Sequence, residues 1–329
     1  MSCGMYPVLF IVGPTASGKS ELAIELAKRL NGEVVSADSM LVYKGMDIGT
    51  AKLSKKERRS VPHYGIDLIP HTKDFSVFQY REFALKAIRD IAKKGRLPIV
   101  AGGTGFYVRA LLEGLSPQPG GNLAIRRKLE AEARRKGLPA LYKRLLKFDP
   151  KRARQIGPDN KRRLIRALEI YLVSGKKPSK AVAKSPGLKK LGFNPIVIGL
   201  HRDRAALYQT INDRVEKMFE KGLVREVKRL SRKRFSMTAM QGVGYKEVLV
   251  QLKNKNARSA DWKEVKDRIK QTTRHFAKRQ WTWFKREEGI RWVWWPERFS
   301  TRKISDFIIN DLFKQASSRR RDPRVCRGR

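Results

Sequence analysis

Gly13-Pro14-Thr15-Ala16-Ser17-Gly18-Lys19-Ser20 is the stretch whose reading decides the fold. It has the form GxxxxGK[ST], a glycine-rich turn whose backbone N–H groups face an anion, closed by a lysine and a hydroxyl. The flanks supply the context such a loop needs. Tyr6 to Val12 is a short apolar run that predicts a strand. From Ser20 to Leu30, Ala23, Ile24, Ala27 and Leu30 recur at helical spacing. A strand, this loop and a helix together cradle a diphosphate or triphosphate at the helix N-terminus. Lys19 adds a point charge, and the Ser20 hydroxyl is a candidate Mg²⁺ ligand.

Working outward, Glu33–Ser36 and Leu97–Ala101 read as further buried strands, with a helical pattern from Tyr80 to Lys94 between them. Strands alternating with helices predict an α/β fold: a P-loop NTPase-like, doubly wound parallel sheet. The stretch 116–121, Ser-Pro-Gln-Pro-Gly-Gly, is linker chemistry. Beyond it lie basic helical patterns, with 16 basic and 4 acidic residues in 126–166, and then a Gly/Pro/Ser/Lys-rich loop over 175–192. Pro195–Leu200 is strand-like again. The chain thus divides into a core first part (1–118), a basic helical insertion (119–187) and a core second part with a long basic helix (188–312). An Arg-rich tail (313–329) is expected to lack structure.

Charge points to the partner. Of 329 residues, 74 are Lys or Arg and 31 Asp or Glu, a net +43. Residues 1–115 hold 17 basic and 11 acidic residues, so nearly all the excess lies beyond them. That imbalance calls for a polyanion. No run of eighteen apolar residues suggests a membrane span, and the N-terminus does not read as a signal peptide. Cys3 and Cys326 offer no disulfide framework, which suits a reducing cytoplasm. The four histidines show no ligand spacing, so no zinc site is predicted.

Three further features bear on chemistry. A nucleotide hydrolase needs a strand ending in Asp to hold Mg²⁺, yet the 97–101 strand ends in Gly102-Gly103-Thr104-Gly105. The early strand that does end in Asp is Val34-Val35-Ser36-Ala37-Asp38. Asp38 therefore reads as a metal ligand, a general base or a turn former. The glycines around Thr104 admit either a ligand's close approach or a plain left-handed turn. In the third feature, the helical pattern 261–288, Val265, Ile269, Thr272, Phe276 and Trp283 form one packing face. Lys266, Arg274, Lys278 and Lys285, with Trp281, form a basic stripe that suits an RNA backbone or a solvated face. Trp292, Trp294 and Trp295 are expected to pack as a strand, not to serve as a base-stacking platform.

Several blocks carry a resemblance: SADSMLVYKGMDIGTAK at 36–52, PHYGIDL at 62–68, GGTGFYVRALLEGL at 102–115, RRLIRALEI at 162–170, GVGYKE at 242–247 and TTRHFAKRQWTWFK at 272–285. Together with GPTASGKS, they closely resemble the bacterial tRNA isopentenyltransferase family from about Val8 to Glu287. The resemblance implies transfer of a dimethylallyl group from dimethylallyl diphosphate to N6 of the adenosine 3′ of the anticodon, in tRNAs reading codons that begin with U. It implies Mg²⁺ as cofactor, with the phosphate loop (Gly13, Pro14, Thr15, Ala16, Ser17, Gly18, Lys19, Ser20) holding a diphosphate leaving group. Asp38 then acts as general base and Thr104 holds the amine, while Arg214, in RVEKM, meets the diphosphate. Asp38, Ser39, Met40, Leu41, Thr104, Arg126, Arg162, Arg163, Leu164, Ile165 and Arg166 fall at positions that contact the anticodon stem-loop. The insertion is expected to clamp that RNA, and the enzyme to work as a monomer. Gly157-Pro158-Asp159-Asn160 departs from the family's His-Pro-Asn-Asp, and Arg162-Arg163 from its Gln-Arg. The competing classes are an adenylate isopentenyltransferase, a P-loop small-molecule kinase and a non-catalytic RNA-binding protein. The intact loop, Asp38 and Thr104 speak against the last, and the basic C-terminal two thirds against the other two.

Overall fold

The computed structural model describes residues 5–58, 61–180, 184–254, 262–296 and 299–320, with backbone alone for 313–320. β1 (Tyr6–Val12) runs through the glycine loop into α1 (Lys19–Arg29), followed by β2 (Gly32–Ser36), β3 (Tyr43–Lys44), β4 (His63–Tyr64) and β5 (Ile69–Pro70). Next come α2 (Val77–Lys93), β6 (Leu97–Gly102) and α3 (Gly105–Leu112). α4 (Leu123–Phe148), α5 (Pro150–Ile156) and α6 (Lys161–Ser174) form the insertion. The chain returns as β7 (Phe193–His201), α7 (Arg204–Glu220), α8 (Leu223–Leu230), α9 (Tyr245–Lys253), α10 (Trp262–Phe284), β8 (Ile290–Trp294) and α11 (Thr301–Arg320).

Six strands form one parallel sheet in the order β4-β2-β6-β1-β7-β8. β1 lies between β6 and β7, so its residues are buried on both faces. Val8, Phe10 and Val12 face the cluster built with α2, α3, α8, α9 and α10. Leu9 and Ile11 face the one built with α1 and α11. Burying each such side chain contributes about 1.5–3 kcal/mol, which is why β1 reads as a continuous apolar run. α2 begins at a capping box, with Ser76 accepting from the Gln79 N–H and the Gln79 side chain answering the Ser76 N–H.

The chain forms two compact units, 1–113 with 187–329, and 114–186. The division therefore falls five residues before the boundary read at 119. In the smaller unit, Leu129, Leu141, Leu145, Leu164 and Leu168 form a core of their own. α4 is broken at Gly137 (φ 78°), two residues before Pro139. The two ends of this unit are joined: Ser185 N–H donates to Leu115 O at 2.8 Å, and Leu115 N–H to Ser185 Oγ at 3.1 Å.

Two expectations are corrected here. The stretch from 313 was expected to lack structure, yet α11 continues to Arg320. Ile304 and Ile308 anchor that helix in the core and Arg29 pairs with Asp306 at 2.6 Å, so the helix propagates past its packed turns. Residues 321–329 lie outside the described residues. On α10 the buried row is Val265, Ile269, Ala277, Gln280 and Phe284, while Thr272, Phe276 and Trp283 are half-buried. Val265 and Ile269 were read correctly, but Gln280 is polar, so the hydrophobic pattern skipped it and the face beyond Ile269 was drawn about one residue out of phase.

Candidate active site

The carboxyl ends of β1, β6 and β2 are neighbours, so the loops that follow them meet at one edge of the sheet. After β1, the backbone turns through positive φ at Gly13 (143°), Ala16 (65°) and Gly18 (93°). This alternation curls successive N–H groups inward and makes the anion nest that the motif implies. Lys19 folds back and donates to Pro14 O at 2.5 Å. Its surroundings strip it of water and Arg214 adds a like charge. Asp38 opposes both, and the net effect is to lower the Lys19 pKa to about 7. Arg214 on α7 donates to Thr15 Oγ1 at 3.4 Å, and burial lowers its pKa against the pull of Glu21 and Asp38. Ser17 Oγ is buried with no hydrogen-bond partner. Ser20 is exposed at the first turn of α1.

Beyond β2, Asp38 is half-buried and one carboxylate oxygen accepts from Met40 N–H at 2.8 Å. It is therefore a turn former, as one reading allowed, but its second oxygen makes no hydrogen bond among the described residues. Thr104 Oγ1 accepts from Ser39 N–H at 3.0 Å and donates to Ser39 Oγ at 3.3 Å, which ties the turns after β2 and β6 together. Tyr80 and Tyr107 stack beside this pair, with ring centroids 3.8 Å apart. Burial first, then the neighbouring tyrosines and the Asp38 charge, hold both phenols protonated, and the Tyr80 hydroxyl has no partner among the described residues.

For the glycines at the end of β6, the left-handed turn is corrected. None of Gly102, Gly103 and Gly105 has positive φ. Their missing side chains make room for the protein's own atoms. A Cβ would stand 2.2 Å from Ala37 O at Gly102, 2.2 Å from Gln280 Nε2 at Gly103 and 2.2 Å from the Trp283 ring at Gly105.

Gln280 is the site residue that sequence reasoning missed. It accepts from Thr15 N–H at 2.7 Å and donates to Gly103 O at 2.9 Å, strapping the phosphate loop to the turn that carries Thr104. A polar residue in the buried register of an apolar helix was the available signal. Gln280→Leu orphans both groups, each at about 1–3 kcal/mol. We expect the melting temperature to fall by roughly 2–4 °C per kcal/mol lost and dimethylallyl diphosphate to protect the variant less than wild type in a thermal-shift titration. Equal protection would show that the strap does not shape the loop.

The segment bearing Ser39, Met40 and Leu41 is held from beneath. Buried Glu226 accepts from the N–H groups of Asp47, Ile48 and Gly49 at 3.1, 2.9 and 3.2 Å, and from Tyr245 Oη at 2.6 Å. Lys52 donates to Tyr43 O, Asp47 and Asp67 at 2.6–2.8 Å. The 36–52 and 242–247 blocks are thus two sides of one clasp.

In the insertion unit the named residues divide. Arg162 and Arg163 are exposed at the start of α6, whose N-cap is Asn160, accepting from Arg163 N–H at 3.2 Å. Leu164 and Ile165 are buried in the unit's core, so their side chains are not RNA contacts, a correction to the assignment by family position. Arg126 and Arg166 bind the fully buried Glu169 at 2.7 and 2.6 Å. Burial works to raise the Glu169 pKa, and the hydrogen bonds from the two arginines outweigh it and lower it. On α10, Lys266 pairs with Glu216 at 2.7 Å and Arg274 donates to Asn212 at 2.8 Å, whereas Lys278 and Lys285 remain exposed.

Comparison with known proteins agrees with this layout. The profile of the IPP transferase family matches residues 41–287, and that of isopentenyl transferase matches 6–64. A tRNA dimethylallyltransferase of Acetivibrio thermocellus is 46% identical over 300 residues, covering 90% of this chain and 94% of that one. The enzyme of the same name from Halothermothrix orenii is 44% identical, covering 87% and 86%. Among solved structures, the tRNA isopentenylpyrophosphate transferase of Bacillus halodurans superposes with a TM-score of 0.67 at 38% identity, covering 95% and 99%. A eukaryotic dimethylallyltransferase acting on tRNA gives 0.73 at 30% identity, covering 93% and 80%. With three quarters of its length inside one family's profile and its phosphate nest, Asp38 and Thr104 on adjoining strand ends, this chain belongs to the IPP transferase family.

Proposed function

We propose that the chain transfers a dimethylallyl group from dimethylallyl diphosphate to N6 of the adenosine 3′ of the anticodon, in tRNAs reading codons that begin with U. The observation that carries this reading is the adjacency of a diphosphate nest, after β1, to a carboxylate with one free oxygen, after β2. A proton-abstracting alkyl transfer needs both, and the basic excess beyond residue 115 favours RNA over the small acceptor of a kinase.

In the reaction, the N6 lone pair attacks C1 of the allyl group and the C1–O bond breaks. The diphosphate leaves with the bonding electrons and the N6 proton passes to Asp38. Thr104, fixed by Ser39, orients the amine. Lys19, Arg214 and the N–H groups at the helical end of the loop, Gly18 to Ser20, meet the charge that develops on the leaving diphosphate. The adenine leaves its stack to reach this edge. Ser20 suits Mg²⁺: its hydroxyl is exposed at the loop's end and makes no hydrogen bond among the described residues. Ser20 would hold Mg²⁺ there, and the ion would supply further neutralisation of charge on the leaving diphosphate. Arg162 and Arg163 are proposed RNA contacts of the insertion. No helix of the described residues is long and apolar enough to cross a membrane. A tRNA substrate supports a cytoplasmic location, and the enzyme is proposed to act as a monomer.

The test is incubation with radiolabelled dimethylallyl diphosphate, Mg²⁺ and an unmodified anticodon stem-loop, with AMP competing. Label in the loop adenosine supports the proposal. Label in AMP alone would move the chain to free-nucleotide chemistry, and label in neither would remove prenyl transfer.

A further inference from the structure

β8 is the outermost strand of the sheet, and its two faces are used differently. Val293, with Trp295 just beyond the strand, is buried against α1 and α11. Trp292 and Trp294 point the other way and stay 36% and 50% exposed, which corrects the expectation that all three tryptophans pack as a strand. They join a continuous aromatic surface. Trp281 of α10 stacks on His201 at 4.3 Å and meets Trp292 edge-on at 4.6 Å, while His201 reaches Trp294 at 4.7 Å. The seat is rigid, because Trp292 lies across Gly199, where a Cβ would stand 2.6 Å from the indole.

Lys278 and Lys285 flank Trp281 at i−3 and i+4, on one side of α10. Both are exposed, and neither has an acidic partner among the described residues. Lys266 and Lys270 on the same helix are paired with Glu216, and Lys270 also with Asp267. Asp203, close enough to His201 for its charge to be felt there, caps α7 through the N–H groups of Ala205 and Ala206. Core packing explains Val293 and Trp295 but leaves two indoles in water, an arrangement that marks an interaction surface.

We propose that His201, Trp281, Trp292 and Trp294, with Lys278 and Lys285, form a docking surface for the substrate RNA beside the phosphate loop. An unstacked base lies against Trp294, and the two lysines meet neighbouring phosphates. This rests on the reading of tRNA as substrate. Charge selects the occupant. A second copy of a chain with net +43 would bring these cations against themselves, whereas RNA neutralises them.

The test uses the full chain and full-length unmodified tRNA, with filter binding across a salt series and steady-state transfer kinetics. Trp294→Ala is expected to raise Kd about fivefold or more, as loss of one base–aromatic stack does, with kcat at saturating RNA unchanged and Trp294→Phe recovering most of the affinity. The double variant Lys278→Gln, Lys285→Gln is expected to flatten the slope of log K against log salt by about 1.5 to 2. Unchanged Kd and slope would overturn the proposal. So would sedimentation showing a wild-type dimer that Trp294→Ala dissociates. Wild type that transfers label while the variants bind like it sinks the docking surface alone. Wild type that binds tRNA and transfers nothing sinks the enzymatic reading alone.

Discussion

Asp38→Asn is expected to lower kcat by roughly 10²–10⁴-fold, the usual contribution of a positioned general base. The amide keeps the hydrogen bond from Met40 N–H through its carbonyl oxygen, so the turn after β2 survives. What it cannot do is take the N6 proton, because the group on the free side becomes an NH₂ donor. The loss therefore falls on kcat, while dimethylallyl diphosphate binding, measured without RNA, stays within a few-fold of wild type. A variant that retains most of its kcat would remove Asp38 as the base and leave it only its turn.

The aspartate was visible in the sequence because a strand ending in Asp beside a phosphate loop is a local pattern. So were the parallel sheet and the loop, since strand, turn and helix signals each span about ten residues. Tertiary pairings were not legible. Gln280 meets Thr15 across 265 positions, and Glu226 gathers N–H groups of residues about 180 positions earlier. Such residues look like ordinary polar positions on helices until the fold closes. Leu164 and Ile165 failed for the opposite reason. Family position placed them at RNA, while the fold buries them with Leu129, Leu141 and Leu145 in the insertion's own core.

The second large effect concerns Lys19. Lys19→Met is expected to lower kcat by about 10²–10³-fold, comparable to losing one preorganised donor at a developing oxyanion. It also carries a signature in pH. With a pKa of about 7 in the ligand-free protein, Lys19 is largely neutral by pH 8.5 and must take up a proton when the diphosphate binds. A phosphate's last proton leaves near pH 6, so above pH 7 the weakening comes from the protein. Affinity for dimethylallyl diphosphate is expected to fall up to tenfold per pH unit from pH 7 to 9 in wild type, and to be weak but flat in Lys19→Met. The sign for stability is the reverse. Between about pH 7 and the unfolded value near 10.4, the folded state binds fewer protons at Lys19 than the unfolded chain. The unfolding free energy attributable to this residue therefore rises with pH across that window and is at its lowest below pH 7. Equal pH dependence of ligand binding in wild type and variant would show that Lys19 does not titrate in this range.

The place of β7 has a consequence for how the molecule is made. β1 pairs on one side with β6, complete by residue 102, and on the other with a strand that begins only at Phe193. While the intervening ninety residues leave the ribosome, the central strand offers Leu9, Phe10 and Ile11 along an open parallel edge. Such an edge recruits other chains when left bare. The gene therefore cannot be cut within the insertion into two self-sufficient halves. The insertion itself, whose ends Leu115 and Ser185 are already pinned together, has the form of a cassette that an ancestral core could have acquired in one event.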